Sequence, residues 1–249
     1  MTYKFNIVII KTNEFYRIFD DVVLLIQQSL ISLGYECSIN INKFLTDRIN
    51  ILVGSTIFAS KYINLPDVLR GQKFILYQLE QLHDKFGLLN DWSDYYLLMK
   101  NATIIWDYSL SNVKYLQSKN FDNVFHLPPG YHPSLEILQK KNIQDIDVMF
   151  VGSLHPRRMT IINQLKSKNL NVVSSNNLFG EQRNSLISRS KILLNIHAWE
   201  DLNILETVRL SFLLANNVFV ISEVGDHDPY GGGVIFCEYS DIVNICEKY

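Results

Sequence analysis

Two stretches of this 249-residue sequence bring together side chains whose types and spacing can do chemistry. In the first, DVMFVGS ends in Gly152-Ser153, and Leu154-His155-Pro156-Arg157-Arg158 then opens a helix. A glycine at the carboxyl end of a strand lets the backbone approach a ligand closely, and the free amides of a helix start favour an anion. Pro156 suits the first helical turn. Arg157 and Arg158 add fixed charge whose fork geometry matches phosphate oxygens. The spacing is neither G-x-G-x-x-G nor a Walker A motif. The plainer reading is an ordinary strand-to-helix turn carrying a solvated arginine pair.

The second stretch is KILLNIHAWEDLNILETVRLSFLLANNVFVISE. A buried strand ends near Asn195, a loop carries His197, Trp199, Glu200 and Asn203, and a helix starts close to Leu205. Glu206 then falls in the first helical turn, in the same crevice as Gly152 if the two strands are neighbours. A carboxylate there accepts two hydroxyls of a ribose, as the acidic residue of dinucleotide folds does. Arg209, three residues on and on the same helix face, either pairs with Glu206 or reaches a phosphate. The plainer readings are a helix salt bridge for Glu206 and Arg209, a solvated loop acid for Glu200 and a structural hydrogen bond for His197.

The elements that position these residues alternate along the chain. Short Ile/Val-rich runs are FNIVIIK, YECSINI, INILVGS, KFILYQ, ATIIWDY, VFHL, DIDVMFVGS, NVVSS, KILLNIH and NVFVISE. Between them lie stretches with helical spacing, such as Phe19, Val22, Val23, Ile26 and Leu30. Continuous apolar strands are buried on both faces, as in parallel sheets covered by helices, so the class is α/β. The segment HLPPGYHP, with three prolines and a glycine, bars helix and ladder alike. It predicts two Rossmann-like halves, 1–126 and 134–249, joined by a linker over 127–133, with the carboxyl ends of both parallel sheets facing a cleft. The closing SDIVNICEKY is amphipathic and predicts a docked helix.

Composition narrows the function classes. A hydrophobic content of 47% excludes a disordered chain. Lys+Arg 23 against Asp+Glu 25 leaves a net charge of -2, without the basic balance of a nucleic-acid binder. Cys37, Cys237 and Cys246 are scattered and form neither a disulfide framework nor a zinc site. Asp226 and Asp228 around His227 lack a further ligand at useful spacing, so no metal is expected. The triple-glycine loop GDHDPYGGGVIF either connects two strands or forms a rim that closes over a ligand. No run approaches the roughly 18 apolar residues of a membrane span, and the N-terminal run lacks the features of a signal peptide. A cytoplasmic protein is expected. Peripheral membrane contact through the apolar helix over 19–33 stays open, although the polybasic signature is missing.

FVGSLHPRR followed some fifty residues later by ILETVRLSFLLANNVFVISE resembles the C-terminal domain of GT-B glycosyltransferases of the glycosyl transferases group 1 type. The resemblance implies that Gly152 lies beside the diphosphate of a nucleotide-sugar donor, that Arg158 neutralises that diphosphate and that Glu206 binds the ribose. Ser153, Arg157 and Arg209 join them as donor-binding candidates on their own position and charge. Many members carry two glutamates with seven residues between them; Glu200 and Glu206 have five. Such members mostly retain anomeric configuration. No cofactor or metal is implied beyond the donor itself.

The first half would then face a glycan, lipid or small-molecule acceptor through the loops after its strands. Asn13, Tyr77 and Gln78 are acceptor-side candidates; Glu80, then Asp107, then His197 are candidate catalytic groups. The bland alternative has these residues capping helices, with Tyr77 a core aromatic. Two rival functions keep the fold: a nucleotide-sugar epimerase, and a non-catalytic nucleotide-sugar-binding module of a glycosylation assembly.

Overall fold

The computed structural model describes residues 3–11, 14–54, 71–83, 93–139 and 141–249. They divide into two compact units, Met1–Ser134 and Leu135–Tyr249. In the first, β1 (Lys4–Ile9), α1 (Asp20–Ser32), β2 (Glu36–Ile41), β3 (Ile49–Val53), β4 (Phe74–Gln78), α2 (Ser93–Asn101), β5 (Ile104–Asp107), α3 (Leu110–Ser118) and β6 (Val124–His126) follow one another. The six strands form one parallel sheet in the order β2-β1-β3-β4-β5-β6. Ile7, Val8, Ile51, Leu52 and Leu76 are fully buried, as continuous apolar runs require when both faces are covered. Among the described residues β2 is an edge strand paired with β1, and it departs from that expectation: Ile39 and Ile41, on one face of it, stand exposed. Helix α3 starts where the Ser109 hydroxyl accepts from the amides of Ser111 and Asn112, an N-cap that satisfies two otherwise orphaned donors.

The second unit runs β7 (Ile146–Val151), α4 (Pro156–Ser167), β8 (Val172–Ser175), α5 (Gly180–Ile187), β9 (Ser190–Asn195), α6 (Thr207–Ala215), β10 (Val220–Glu223), β11 (Ile235–Cys237) and α7 (Ile242–Cys246). Its parallel sheet has the order β11-β10-β9-β7-β8. The α/β expectation is thus met by two parallel sheets. Every apolar run named from the sequence contains a strand; β11, only three residues long, was not among them. Val148, Phe150, Ile161, Ile162, Leu165, Ile192 and Ile221 make the core of this unit. Ile242, Val243 and Cys246 of α7 complete it against α4 and β10, so the closing helix belongs to its own unit's core. The Asn216 side chain, at the end of α6, accepts from the Leu138 amide and donates to the carbonyls of Leu135 and Phe212. That clamp fixes the start of the second unit.

Candidate functional site

In the second sheet the strand order reverses between β7 and β9, whose neighbours lie on opposite sides. Loops that leave adjacent strands at such a switch point diverge and open a crevice at their carboxyl ends. Those two loops are the stretches singled out from the sequence. Gly152, at the end of β7, has φ +152° and donates its amide to Ser175 O at 2.9 Å. A Cβ there would stand 3.1 Å from Arg209 Nη2 and 3.2 Å from the Phe150 ring, so the absence of a side chain lets Arg209 press against the strand end.

The chain leaving β9 runs beside the first turn of α4. Arg158 Nε donates to Ile196 O at 2.8 Å and Arg157 Nη1 to His197 O at 3.2 Å, while the His155 and Trp199 rings meet at 4.6 Å. Arg158 also donates to Ser153 Oγ at 2.7 Å and to Ser153 O at 3.0 Å. It is only 3% exposed. Arg209 reaches the same place from α6, donating to Asn195 Oδ1. Both guanidinium groups lie within 6 Å of the Phe150 ring centroid, at 5.2 and 5.6 Å. Burial, and next the Arg209 charge, pull Arg158 down to about 10, against the raising influence of Glu206. Arg158 stays protonated at neutral pH, desolvated and repelled by its neighbour. An anion between the two would relieve both effects. His155 caps α4 without a side-chain hydrogen bond, and the first-turn amides have no acceptor within the helix.

Arg157 does something else. Both of its Nη atoms bind the buried Glu223 carboxylate, its guanidinium lies 3.8 Å from the Tyr239 ring centroid, and its carbonyl accepts from the Tyr239 hydroxyl at 2.7 Å. The expectation that Arg157 neutralises a diphosphate is corrected: its charge is spent on locking α4 to the end of β10. Glu223 was overlooked in the sequence, although a carboxylate closing the buried run NVFVISE is a signal in itself, since it requires a partner.

The same Glu223 carboxylate accepts from the His197 amide at 3.0 Å, and His197 Nε2 sits 2.9 Å from Val224 O. Only a protonated Nε2 can make that contact, which assigns the tautomer. Nδ1 is buried without a hydrogen-bond partner among the described residues. With 3% of its surface exposed, His197 has no nitrogen open to a substrate, which corrects its candidacy as a catalytic acid or base.

Glu206 is the N-cap residue of α6, half-buried, with its carbonyl accepting from the amides of Arg209 and Leu210. The next side chain, Thr207, has a buried hydroxyl without a partner among the described residues. Glu200 is exposed on the loop, and its charge acts on Arg157. The triple-glycine loop braces that loop: Asp226 Oδ1 accepts from the Leu205 amide, and its own amide donates to Asn203 O at 2.7 Å. Among the described residues, no three potential metal-ligating side chains converge.

In the first unit, three of the candidates are interior. Asp107 is 0% exposed, with Oδ1 accepting from the Ser109 amide and Asn112 Nδ2 and Oδ2 accepting from Gln78 Nε2. Gln78 Oε1 in turn accepts from the Tyr95 hydroxyl, and the Tyr77 hydroxyl donates to Leu127 O. Asp107, Tyr77 and Gln78 therefore build the scaffold and present no polar atom to an acceptor, which corrects their candidacy. What the scaffold holds is Glu80. Its amide donates to Gln78 Oε1, and its carbonyl accepts from Gln78 and Asn112, so the backbone is pinned and the residue is half-buried. Asn13 lies outside the described residues, as do Ser55, Thr56 and Trp92.

Two helix-covered parallel sheets, with two arginines brought together at the switch point of the second, give this chain the GT-B fold. It is similar over its whole length to an alpha-glucosyltransferase solved with UDP and a 13-mer DNA containing a HMU base. That match has a TM-score of 0.64 and 11% identity, covering 100% of this chain and 90% of that one. A second similar structure is AviGT4, a glycosyltransferase involved in Avilamycin A biosynthesis, with TM-score 0.53 and 12% identity over 99% of this chain and 87% of that one. In sequence, the chain is 33% identical over 156 residues to one uncharacterised protein of Acanthamoeba polyphaga mimivirus, covering 59% of this chain and 50% of the relative. It is 32% identical over 157 residues to another from the same virus, covering 60% and 54%. The chain spans about half the length of these curated relatives. No family model matches it.

Proposed function

We propose that this protein is a glycosyltransferase that moves a sugar from a nucleotide diphosphate sugar to an acceptor hydroxyl. One observation carries the reading: Arg158 and Arg209 converge with the uncapped start of α4 beside Gly152. In the reaction the bond from the anomeric carbon to the diphosphate oxygen breaks and a bond to the acceptor oxygen forms. Negative charge grows on the leaving diphosphate, and preorganised cations and helix amides stabilise it there without reorganising. Glu206 is assigned to the ribose. Glu80, on its pinned backbone, is assigned as the base that takes the acceptor's proton.

The alpha-glucosyltransferase with TM-score 0.64 was solved with DNA. For this chain, with its net charge of -2, a glycan, lipid or small-molecule hydroxyl is the proposed acceptor class. Burial of Asp107 removes one of the two carboxylates considered as acceptor bases, and that observation favours a second reading, a nucleotide-sugar-binding module without turnover.

The test is a panel of UDP-, GDP-, dTDP- and ADP-sugars, monitored for thermal stabilisation and for release of the nucleotide diphosphate. Stabilisation with release, weakened about tenfold or more by Arg209→Gln or Glu206→Ala, supports the transferase. Glu80→Gln is expected to keep the stabilisation and lose the transfer. Stabilisation without turnover, with mixed acceptors present, selects the binding module; sugar interconversion without diphosphate release selects an epimerase. If no nucleotide raises the melting temperature, the donor site is wrongly assigned.

A further inference from the structure

Strands β9 and β10 pair in parallel, with Asn195 opposite Ser222. Up to that rung both strands are apolar and buried, through Ile192, Leu193 and Leu194 on one side and Val220 and Ile221 on the other. Asn195 and Ser222 are polar and yet 0% exposed. Asn195 Nδ2 donates to Ser222 Oγ at 3.0 Å, and the Ser222 hydroxyl spends its own proton on Glu223 O at 2.8 Å. On its other side Asn195 Oδ1 accepts from Arg209 Nη1. A guanidinium only donates, so the amide oxygen must face Arg209 and the amide nitrogen must face Ser222. The bonds from Glu223 O to Arg209 therefore run in one sense only. An apolar pair would fill the same space without the desolvation cost. What Asn195 and Ser222 add is a fixed direction for Arg209.

The kind of partner matters as much as its place. Glu223 holds Arg157 with a carboxylate and so cancels its charge. Arg209 donates to a neutral oxygen, and to no carboxylate among the described residues. It is held without being neutralised, with Nη1 on Asn195 and Nη2 beside Gly152. A long side chain whose rotamer is set before a ligand arrives loses less freedom on binding.

We propose that Asn195 is the positioning residue of the donor site: it aims Arg209 at the diphosphate through a neutral oxygen and leaves the guanidinium charge for the ligand. This inference rests on the donor-site reading above and adds the group that orients its cation. Calorimetric titration with UDP, GDP, dTDP and ADP, continued with whichever binds the wild type, tests it in two ways. The first is a double-mutant cycle. Asn195→Ala is expected to weaken the diphosphate about fivefold in the otherwise wild-type chain, and less than about twofold in the Arg209→Gln background. Losses that multiply across the two substitutions would overturn the proposal, because Asn195 would then act independently of Arg209. Where Asn195→Ala does not fold, Ser222→Ala, which frees the amide to turn, takes its place in the cycle with the same expectation. The second is Asn195→Asp, which keeps the shape and replaces the neutral oxygen by a carboxylate. It is expected to keep the wild-type melting temperature, because Arg209 gains an ion pair, and to bind the diphosphate about tenfold more weakly. A residue that only filled space would tolerate this isosteric change, so wild-type affinity in Asn195→Asp overturns the proposal. A wild type that binds none of the four diphosphates overturns the donor site itself. Wild-type affinity in Arg209→Gln alone removes Arg209 from that site, and Asn195 with it.

Discussion

At Arg158 the guanidinium is held by Ile196 O, Ser153 O and Ser153 Oγ, whereas Arg157, one residue earlier, gives both Nη atoms to Glu223. The difference follows from helix geometry: consecutive side chains point about 100° apart, so one faces the crevice and the other faces β10. The sequence showed two arginines at a helix start and could not divide their labour, because the partner that claims Arg157 lies 66 positions away. Removing that partner should be costly. Glu223→Ala leaves a partly buried guanidinium unpaired and the His197 amide without its acceptor, and about 3 kcal/mol of stability should be lost, read as a shift in the urea midpoint. His197 illustrates the complementary limit. Its place after a strand was legible, but its tautomer depends on Val224 O, a backbone atom that no motif announces.

At the scale of elements, the strand runs were readable because a parallel sheet covered on both faces demands unbroken Ile, Val and Leu. The strand order was not, since it depends on which hydrophobic faces find each other. Yet strand order decides that the loops after β7 and β9 share a crevice. Gly152 is where that crevice is tightest. Gly152→Ala should push Arg209 off its seat, cost about 1–2 kcal/mol of stability and weaken nucleotide diphosphate binding about tenfold, as titration of the folded variant would measure.

The joint of β4, β5 and α3 carries a different prediction. Burial pushes Asp107 up to about 7, in spite of hydrogen bonds from Ser109, Gln78 and Asn112. The folded state therefore holds the proton more tightly than the unfolded chain. The contribution of Asp107 to stability is full below about pH 4, falls by about 1.4 kcal/mol per pH unit as pH rises, and levels off above about 7. The stability gap between wild type and Asp107→Asn should change across pH 4 to 7 and be constant above; a flat gap throughout contradicts it.

At the scale of the molecule, each unit has its own sheet and its own apolar cluster. Every residue assigned to the donor belongs to the second unit, from Gly152 to Arg209, and so do the residues that brace them, Glu223 and Asp226. Residues 135–249 produced alone should fold and be stabilised by the same nucleotide diphosphate as the whole chain, by a comparable rise in melting temperature; an unfolded product or one indifferent to nucleotide would refute this. The near-neutral overall charge gave no sign of the site, which was legible only from local spacing, because its cations are few, local and partly compensated, as the Arg157 and Glu223 pair shows.

The Asn216 clamp gives this separation a further meaning. A single amide at the end of α6 fastens the carbonyl of Leu135 and the amide of Leu138, the very residues at which the second unit begins. The chain entering at Leu135 is thus fastened to α6 of its own unit, apart from the groups proposed to hold the donor. On the proposed reading, chains that exchanged their first unit at that post would keep the donor-binding groups unchanged, so that a new acceptor specificity would need recombination at one joint rather than the rebuilding of a site.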